Sequence, residues 1–269
     1  MKKYLIYIQS MAVIGLVSTM ALSGCQNTDY PTAQPSTTGV TSTSVLVVNA
    51  SNAAGITALL QNTAVGSTLA PSSYTPYSPI SVGSAQVRVK GSGGTLGAGD
   101  LSILFTFLPN TTYSVFVTDT ITRPVIRNST NTVTDAGGVR FLQVTDTLTA
   151  PAAGMAKFRF FHLAPDVTGV ASSTIAGPVS VRLLNALGAS VATFGNRAYR
   201  TATGTTLRYT SLPAGTYVTQ VYSATAVPAL TVTPVASSTV TMADGKIYTL
   251  YSQGLKRNNT LSVGVVQHN

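Results

Sequence analysis

The chain has 269 residues, a formal net charge of +9 and only 9% charged residues. An average soluble protein has about 25% charged residues, and the acidic residues here are seven Asp with no Glu. The single cysteine excludes an intramolecular disulfide framework and a zinc site built from several cysteines. The lack of Glu, together with many Thr and Val residues, disfavours helices and favours β-strands.

The N-terminus has the three-part order of a secretory signal. Met1, Lys2 and Lys3 form a short basic region, and an apolar stretch over residues 4–22 follows. Four polar residues interrupt this stretch, so it is weak as a permanent membrane span. We predict that residues 1–24 are a cleaved signal peptide, which leaves 14 basic and seven acidic residues and a net charge of +7.

The segment Leu22-Ser23-Gly24-Cys25 resembles the bacterial lipobox. In that motif the cysteine thiol receives a diacylglycerol, and cleavage leaves the cysteine as the first residue. The alternative is a plain signal peptide with an incidental cysteine, but the chain's only cysteine stands at the required place. The resemblance implies a lipoprotein whose partner is the membrane. Because Gln26 rather than Asp follows, it also implies an outer-membrane location in the cell envelope.

Residues 25–43 are predicted to be the lipidated cysteine and a flexible linker. The stretch after Cys25 is rich in Thr, Ser and Pro and cannot build an apolar core. It would hold the folded part of the protein away from the membrane.

The remainder of the chain predicts strands, because short apolar runs are separated by turn residues. Asp244-Gly245 has the composition of a type I′ hairpin turn. We find no convincing amphipathic helix of three turns, and the pattern indicates an all-β fold of antiparallel sandwiches. The predicted strands are Val45–Asn49, Gln86–Lys90, Tyr113–Thr118, Val139–Val144, Lys157–Phe161, Val179–Leu184, Thr216–Tyr222 and Lys246–Tyr251.

An internal repeat divides this region into two tandem domains. An apolar strand ending in Asn49 opens the first domain, and a similar strand ending in His162 opens the second. The turn before Tyr113 has two possible counterparts in the second domain, and Asp244-Gly-Lys-Ile-Tyr248 matches it better than Leu212-Pro-Ala-Gly-Thr-Tyr217 does. We therefore predict β-sandwich domains at residues 44–150 and 151–269, joined by a short linker.

These motifs resemble one bacterial family. The motifs that carry the resemblance are Val-Val-Asn-Ala-Ser at 47–51, Phe-Phe-His-Leu-Ala-Pro-Asp at 160–166, the junction 146–154 and Gly-Lys-Ile-Tyr-Thr-Leu-Tyr-Ser-Gln-Gly at 245–254. The family is the domain of unknown function 4397, found in envelope lipoproteins, and the resemblance covers residues 44–260 with the second copy matching better. It implies immunoglobulin-like β-sandwiches and an extracytoplasmic role, without an activity.

The search for chemistry finds mostly missing motifs. The sequence has no Gly-x-Ser-x-Gly elbow and no Walker loop. The glycine-rich stretch 91–99 lacks a dinucleotide fingerprint and predicts a hairpin loop. The seven Asp are too dispersed for a calcium loop. We therefore predict no enzymatic activity, no cofactor and no metal. We also expect no nucleic-acid partner, because the basic residues form no run or stripe.

Two groups of residues remain as candidate sites. His162 and Asp166 could form a weak ligand site, or His162 could be half-buried while Asp166 bonds the turn. Tyr199 and Tyr209, with Arg200 between them, could stack on and bind an anionic glycan. Alternatively, these tyrosines pack at the rim of a sandwich.

The sequence thus favours a non-enzymatic envelope lipoprotein with a structural or adhesive role. The alternative is a glycan-binding accessory lipoprotein. The partner beyond the membrane would be an envelope glycan or another envelope protein.

Overall fold

The computed structural model of the protein describes residues 42–91, 101–121, 125–135, 138–166 and 177–269. The predicted signal peptide, Cys25 and the linker up to residue 41 lie outside these ranges, as does most of the glycine-rich stretch 91–99. Residues 40–269 form one compact unit. In the described part, no helix is long and apolar enough to cross a membrane.

The first half of the described chain holds ten strands and the second half holds eight. Two short 3-10 turns, Gly204–Leu207 and Lys256–Asn258, lie in the second half. The strands of the first half are β1 Ser42–Asn49, β2 Ile56–Leu60, β3 Thr63–Leu69, β4 Ser78–Ser81, β5 Gly83–Gly91, β6 Leu101–Phe107, β7 Thr112–Thr118, β8 Ile126–Arg127, β9 Val133–Asp135 and β10 Arg140–Asp146. The strands of the second half are β11 Met155–His162, β12 Val179–Leu184, β13 Ser190–Arg197, β14 Thr210–Pro213, β15 Gly215–Tyr222, β16 Ala236–Met242, β17 Ile247–Gln253 and β18 Ser262–Gln267.

Each half is a sandwich of two four-stranded sheets, which confirms the all-β sandwich prediction. The first half contains sheets β3-β2-β5-β6 and β4-β1-β7-β10, and the second contains β13-β12-β15-β16 and β14-β11-β17-β18. The two orders correspond strand by strand, with the β8–β9 hairpin as an addition in the first half. One pair in each half, β1 with β7 and β11 with β17, is parallel rather than antiparallel.

The sandwich cores follow from period-two alternation along the strands. On β5, Val87 and Val89 point into the core of the first half, whereas Lys90 is exposed. On β11, Phe158 and Phe160 fill the core of the second half. Strands that alternate as β5 does have one buried and one exposed face and lie in the outer layers.

A third apolar layer joins the two halves. Leu46 and Val48 on β1 point away from the first core and pack in a cluster with Phe116, Phe161 and Tyr251. The Phe116 ring contacts the Phe161 ring edge-on at 5.8 Å and the Tyr251 ring at 5.5 Å. The continuous apolar run of β1 is explained by this layer, because strands buried on both faces lose their alternation. The sheets containing β1 and β11 are therefore inner layers of a four-layer stack.

The loops before β7 and β17 each contain the same kind of tyrosine hydrogen bond. The Tyr113 hydroxyl accepts the Leu108 N–H at 3.0 Å, and the Tyr248 hydroxyl accepts the Ala243 N–H at 2.9 Å.

The prediction of a hairpin at Asp244-Gly245 is wrong. Gly245 has the positive φ of such a turn, +73°, but this connection leads from β16 in one sheet to β17 in the other. Local turn chemistry sets the backbone angle and leaves open which sheet receives the next strand.

Gly264 lies opposite Tyr251 in the β17–β18 pair. A Cβ at this position would overlap the Tyr251 ring. We expect Gly264→Ala to lower the free energy of unfolding by about 1–3 kcal/mol, because overpacking forces the ring out of the layer between the halves. Gly177→Ala is the matched control, since a Cβ there has open space. Thermal unfolding of both variants checks this, and equal stability of the two would contradict it.

Candidate functional site

The most unusual feature of the structure is a buried ion pair between the two halves. Arg159 on β11 is 1% exposed, and its guanidinium binds the carboxylate of Asp146 at the end of β10. A second nitrogen of Arg159 donates to the Thr145 carbonyl at 2.9 Å. The cation also faces the rings of Phe161 and Tyr209, at 4.9 and 4.6 Å from the ring centroids. Such contacts compensate a buried charge that would otherwise be costly.

The pair closes a ring of hydrogen bonds with three further side chains, Thr249, His268 and Tyr77, here called the Arg159–Asp146 ring. Arg159 Nε–H donates to Thr249 Oγ1 at 2.9 Å, and Thr249 Oγ1 lies 2.7 Å from His268 Nε2. His268 Nδ1 lies 2.7 Å from the Tyr77 hydroxyl, which donates to the Asp146 carboxylate at 2.8 Å. Because the Tyr77 proton goes to Asp146, His268 Nδ1 carries a proton, and in the neutral ring Nε2 then accepts from Thr249. The ring therefore satisfies a neutral imidazole.

Burial reinforces the neutral state of His268. Desolvation lowers the pKa of His268 from 6.5 to about 4, and nearby Asp146 opposes this only in part. His268 and Asp146, whose Nδ1 and Oδ2 atoms are 3.9 Å apart, therefore do not form an ion pair at neutral pH. Burial, followed by the charge of Asp146, raises the pKa of Tyr77 well above its ordinary value. The ring holds one positive and one negative charge, both paired.

The structure places His162 and Asp166 in separate structural roles. His162 is 1% exposed, with Nδ1 2.9 Å from Ser252 Oγ and Nε2 3.1 Å from the Gly177 carbonyl. Burial lowers the pKa of His162 to about 4. Asp166 accepts the Arg257 N–H at 3.1 Å, in the 3-10 turn after β17. The described residues contain no group of three metal-ligating side chains.

Tyr199 and Arg200 lie where the second half meets the first. The Tyr199 ring meets His162 edge-on at 5.5 Å, and burial and nearby Asp119 raise the pKa of its hydroxyl. Asp119, at the end of β7, pairs with Arg140 at 3.4 Å. Arg200 donates to the Phe141 carbonyl at 2.8 Å. The predicted glycan residues thus contact the opposite half, and Tyr199 is half-buried.

Tyr209 is also half-buried, and its ring contacts are different from those of Tyr199. One face of its ring receives the Arg159 cation, and its edge meets the His268 ring at 6.4 Å. Tyr77 belongs to the same ring of hydrogen bonds, whereas Tyr74 is 37% exposed. The tyrosines are therefore largely used in packing, and glycan binding stays a prediction.

Sequence reasoning missed Arg159, Asp146 and His268. One signal was present, because Arg159 interrupts the apolar run Lys-Phe-Arg-Phe-Phe. A charge at a position that alternation places in an apolar layer calls for a buried partner. The identity of that partner depends on how the halves pack, which the local pattern does not contain.

Comparison with known proteins finds a family that part of the chain resembles. The family described as Domain of unknown function (DUF4397) matches residues 43–173. This match covers just under half of the chain and shows that residues 43–173 are similar to that family. The DUF4397 match spans the first half together with β11, whereas the sequence motifs favour the second half. No curated protein matches the chain.

Similar solved structures are distant. The TIE protein of Bacillus anthracis is 11% identical with a TM-score of 0.24, and the match covers 79% of this chain and 50% of that one. The chain therefore spans half the length of that protein. A candidate cell adhesion protein of Bacteroides ovatus is 10% identical with a TM-score of 0.19, over 86% of this chain and 98% of that one. TM-scores this low define neither a shared topology nor a shared function.

Proposed function

We propose that the protein is a non-enzymatic lipoprotein of the cell envelope, with a structural or adhesive role. In this proposal Cys25 carries the lipid, and the two halves project from the outer membrane as one stiff body. The observation that carries the proposal is the layer between the halves. It combines a continuous apolar cluster with the Arg159–Asp146 ring. Large apolar contacts of this kind suppress relative motion of neighbouring modules.

The bonding of the titratable residues supports a non-enzymatic role. Both histidines have their two ring nitrogens engaged. Asp146 neutralises Arg159, Asp119 pairs with Arg140, and Asp166 binds a turn. General acid–base catalysis requires such groups to face a substrate, whereas these groups face one another and the backbone.

The anchor supplies the physical basis for envelope attachment. Each buried acyl methylene contributes about 0.8 kcal/mol, and one chain alone holds a protein only marginally. A cysteine with two or three acyl chains would stay bound. The linker after Cys25 would then set the distance between the membrane and the folded body.

The decisive test is Cys25→Ser in cells grown with labelled palmitate. We expect the wild-type chain to incorporate label and to partition with membranes, and the variant to lose all label, because the serine hydroxyl cannot replace the thiol in lipidation. Ser23→Ala is the matched control, since it changes the same segment and keeps the cysteine. Label that persists in Cys25→Ser, or its absence from the wild type, would overturn the lipoprotein proposal.

A further inference from the structure

Strand β6 forms an edge of the outer sheet in the first half. Within the described residues it pairs only with β5, in regular register from Val89 opposite Leu101 to Gly83 opposite Phe107. Its sequence, Leu-Ser-Ile-Leu-Phe-Thr-Phe, has no charge and no proline. Natural edge strands are usually protected by charges, prolines or bulges, because their free backbone groups recruit other strands. β6 has none of these protections.

The side chains of β6 are unusually apolar for an edge. Leu104 is 67% exposed and Ile103 is 39% exposed. The corresponding edge of the second half, β16, instead exposes Ser237, Thr239 and Thr241. The same topological position is therefore polar in one half and apolar in the other, so the fold itself does not demand an apolar edge.

One hydrogen bond shows which backbone groups of β6 face outward. Gln143 on β10, which belongs to the other sheet, donates its side-chain N–H to the Thr106 carbonyl at 3.2 Å. That carbonyl therefore points away from β5. Because backbone groups alternate along an antiparallel strand, Ser102, Leu104 and Thr106 all present N–H and C=O groups to the open edge.

We propose that β6 is a self-association edge, at which two copies of the chain pair antiparallel about Leu104. In this register Leu104 faces Leu104 of the second copy, and Ser102 faces Thr106. These outward-facing residues would form six backbone hydrogen bonds between the copies. Among the described residues, the side chain of Gln143 would have to release the Thr106 carbonyl.

The polarity of β6 suits this symmetric pairing. Read in either direction from Leu104, the strand runs apolar, polar, apolar. Ile103 would therefore lie beside Phe105 of the second copy, while Ser102 would lie beside Thr106. Aromatic pairs with β-branched residues and Ser–Thr pairs are both favourable across strands. A two-fold dimer is also the commonest closed assembly. The proposal stands on β6 alone and does not depend on the lipid anchor.

Disulfide trapping tests both the contact and its register. Residues facing each other in a hydrogen-bonded antiparallel pair have Cα atoms about 5.5 Å apart, which suits a disulfide. We expect Leu104→Cys in the full chain, oxidised mildly in intact cells, to give a covalent dimer. Ser102→Cys and Thr106→Cys should each give little dimer alone and much dimer when co-expressed.

Two controls separate specific pairing from collision. Thr239→Cys, at the middle of β16, and the wild-type chain, whose only cysteine is Cys25, should stay monomeric under the same oxidation. Equal trapping of Leu104→Cys and Thr239→Cys, no trapping at Leu104, or trapping to a different polypeptide would overturn self-pairing. These failures leave palmitate labelling at Cys25 unchanged, so they are distinguishable from failure of the proposed function.

A charge at the two-fold axis provides an independent check. Leu104→Lys would place two like charges opposite each other and should weaken dimerisation at least about tenfold in sedimentation equilibrium. Because the side chain is mostly exposed, thermal unfolding should be unchanged. An unchanged association constant would contradict the proposed axis.

Discussion

Replacing Arg159 with Met should lower the free energy of unfolding by about 3–5 kcal/mol, the range expected when one partner of a buried ion pair is removed. Methionine fills most of the arginine volume, so the loss comes mainly from charge. Asp146 is 5% exposed. Without Arg159 its carboxylate would keep the hydrogen bonds from Tyr77 and Ser114 but lose the cation that neutralises it. Urea unfolding at pH 7, followed by circular dichroism, measures the change.

Lys157→Met is the matched control for this variant. Lys157 stands two residues earlier on β11, and its amino group donates to the Thr149 and Ala150 carbonyls at the surface. Exposed interactions of this kind contribute at most about 1 kcal/mol. A loss in Arg159→Met no larger than in Lys157→Met would show that the ion pair contributes little to stability.

A second substitution separates the orphaned charge from lost packing. In Arg159→Met with Asp146→Asn, the remaining group is neutral and still accepts from Tyr77. The double variant should therefore be more stable than Arg159→Met alone by at least about 1 kcal/mol, since an uncompensated charge costs more than a neutral amide. An additive loss would instead assign the effect of Arg159 to its contacts with Phe161 and Tyr209.

The strands were predictable where one strand carries its own pattern. All eight predicted strands coincide with observed strands, because alternation or an apolar run is visible within five to seven residues. The edge strands β3, β13 and β16 were missed because their exposed positions are mostly Thr, Ser, Ala and Gly. Such stretches differ little from loops in composition.

The stacking of the halves was not predictable in the same way. The run Val45-Leu-Val-Val48 indicates burial on both faces, but it does not say what covers the second face. The partner strand β11 begins more than one hundred residues later, on the far side of the junction. The same limit applies to Arg159, whose partners lie on β10 and β17. Pairing across layers is a property of the assembled sheets.

The candidate residues show this limit most clearly. His162 and Asp166 are close in sequence, yet His162 bonds Ser252 while Asp166 bonds the turn at Arg257. Tyr199 and Tyr209 were grouped by sequence distance, and the structure directs one toward Asp119 and the other toward Arg159. Residues that are close in sequence on an irregular connection are expected to lie in the same region of the fold. Their spacing does not determine where their side chains point.

Acidification from pH 7 to pH 4.5 should destabilise the protein by several kcal/mol. Burial lowers the pKa of both His162 and His268 from 6.5 to about 4. Between these values the unfolded chain binds more protons than the folded chain, so the free energy of unfolding falls as the pH falls. A shift of this size corresponds to roughly 3 kcal/mol for each histidine.

Burial is the main reason that both rings resist protonation, and the hydrogen bonds fix the tautomer of each neutral ring. His162 donates from Nε2 to the Gly177 carbonyl and can only accept at Nδ1 from Ser252. His268 has the opposite tautomer, with Nδ1 donating to Tyr77 and Nε2 accepting from Thr249. A second proton on either ring would displace a hydroxyl donor. At His268 it would also add a positive charge beside Arg159, while Asp146 would offset only part of that cost.

Urea unfolding at several pH values between 7 and 4.5 tests this prediction for each histidine. His162→Gln retains a donor near the position of Nε2 and cannot titrate, so it should remove about half of the pH dependence while lowering stability at pH 7. His268→Asn retains a donor near Nδ1 and should remove the other half. If the two effects are equal, burial dominates at both sites. A smaller effect at His268 would show that Asp146 stabilises the imidazolium more than Arg159 opposes it. A flat profile in the wild type would mean that neither ring is held neutral by the fold.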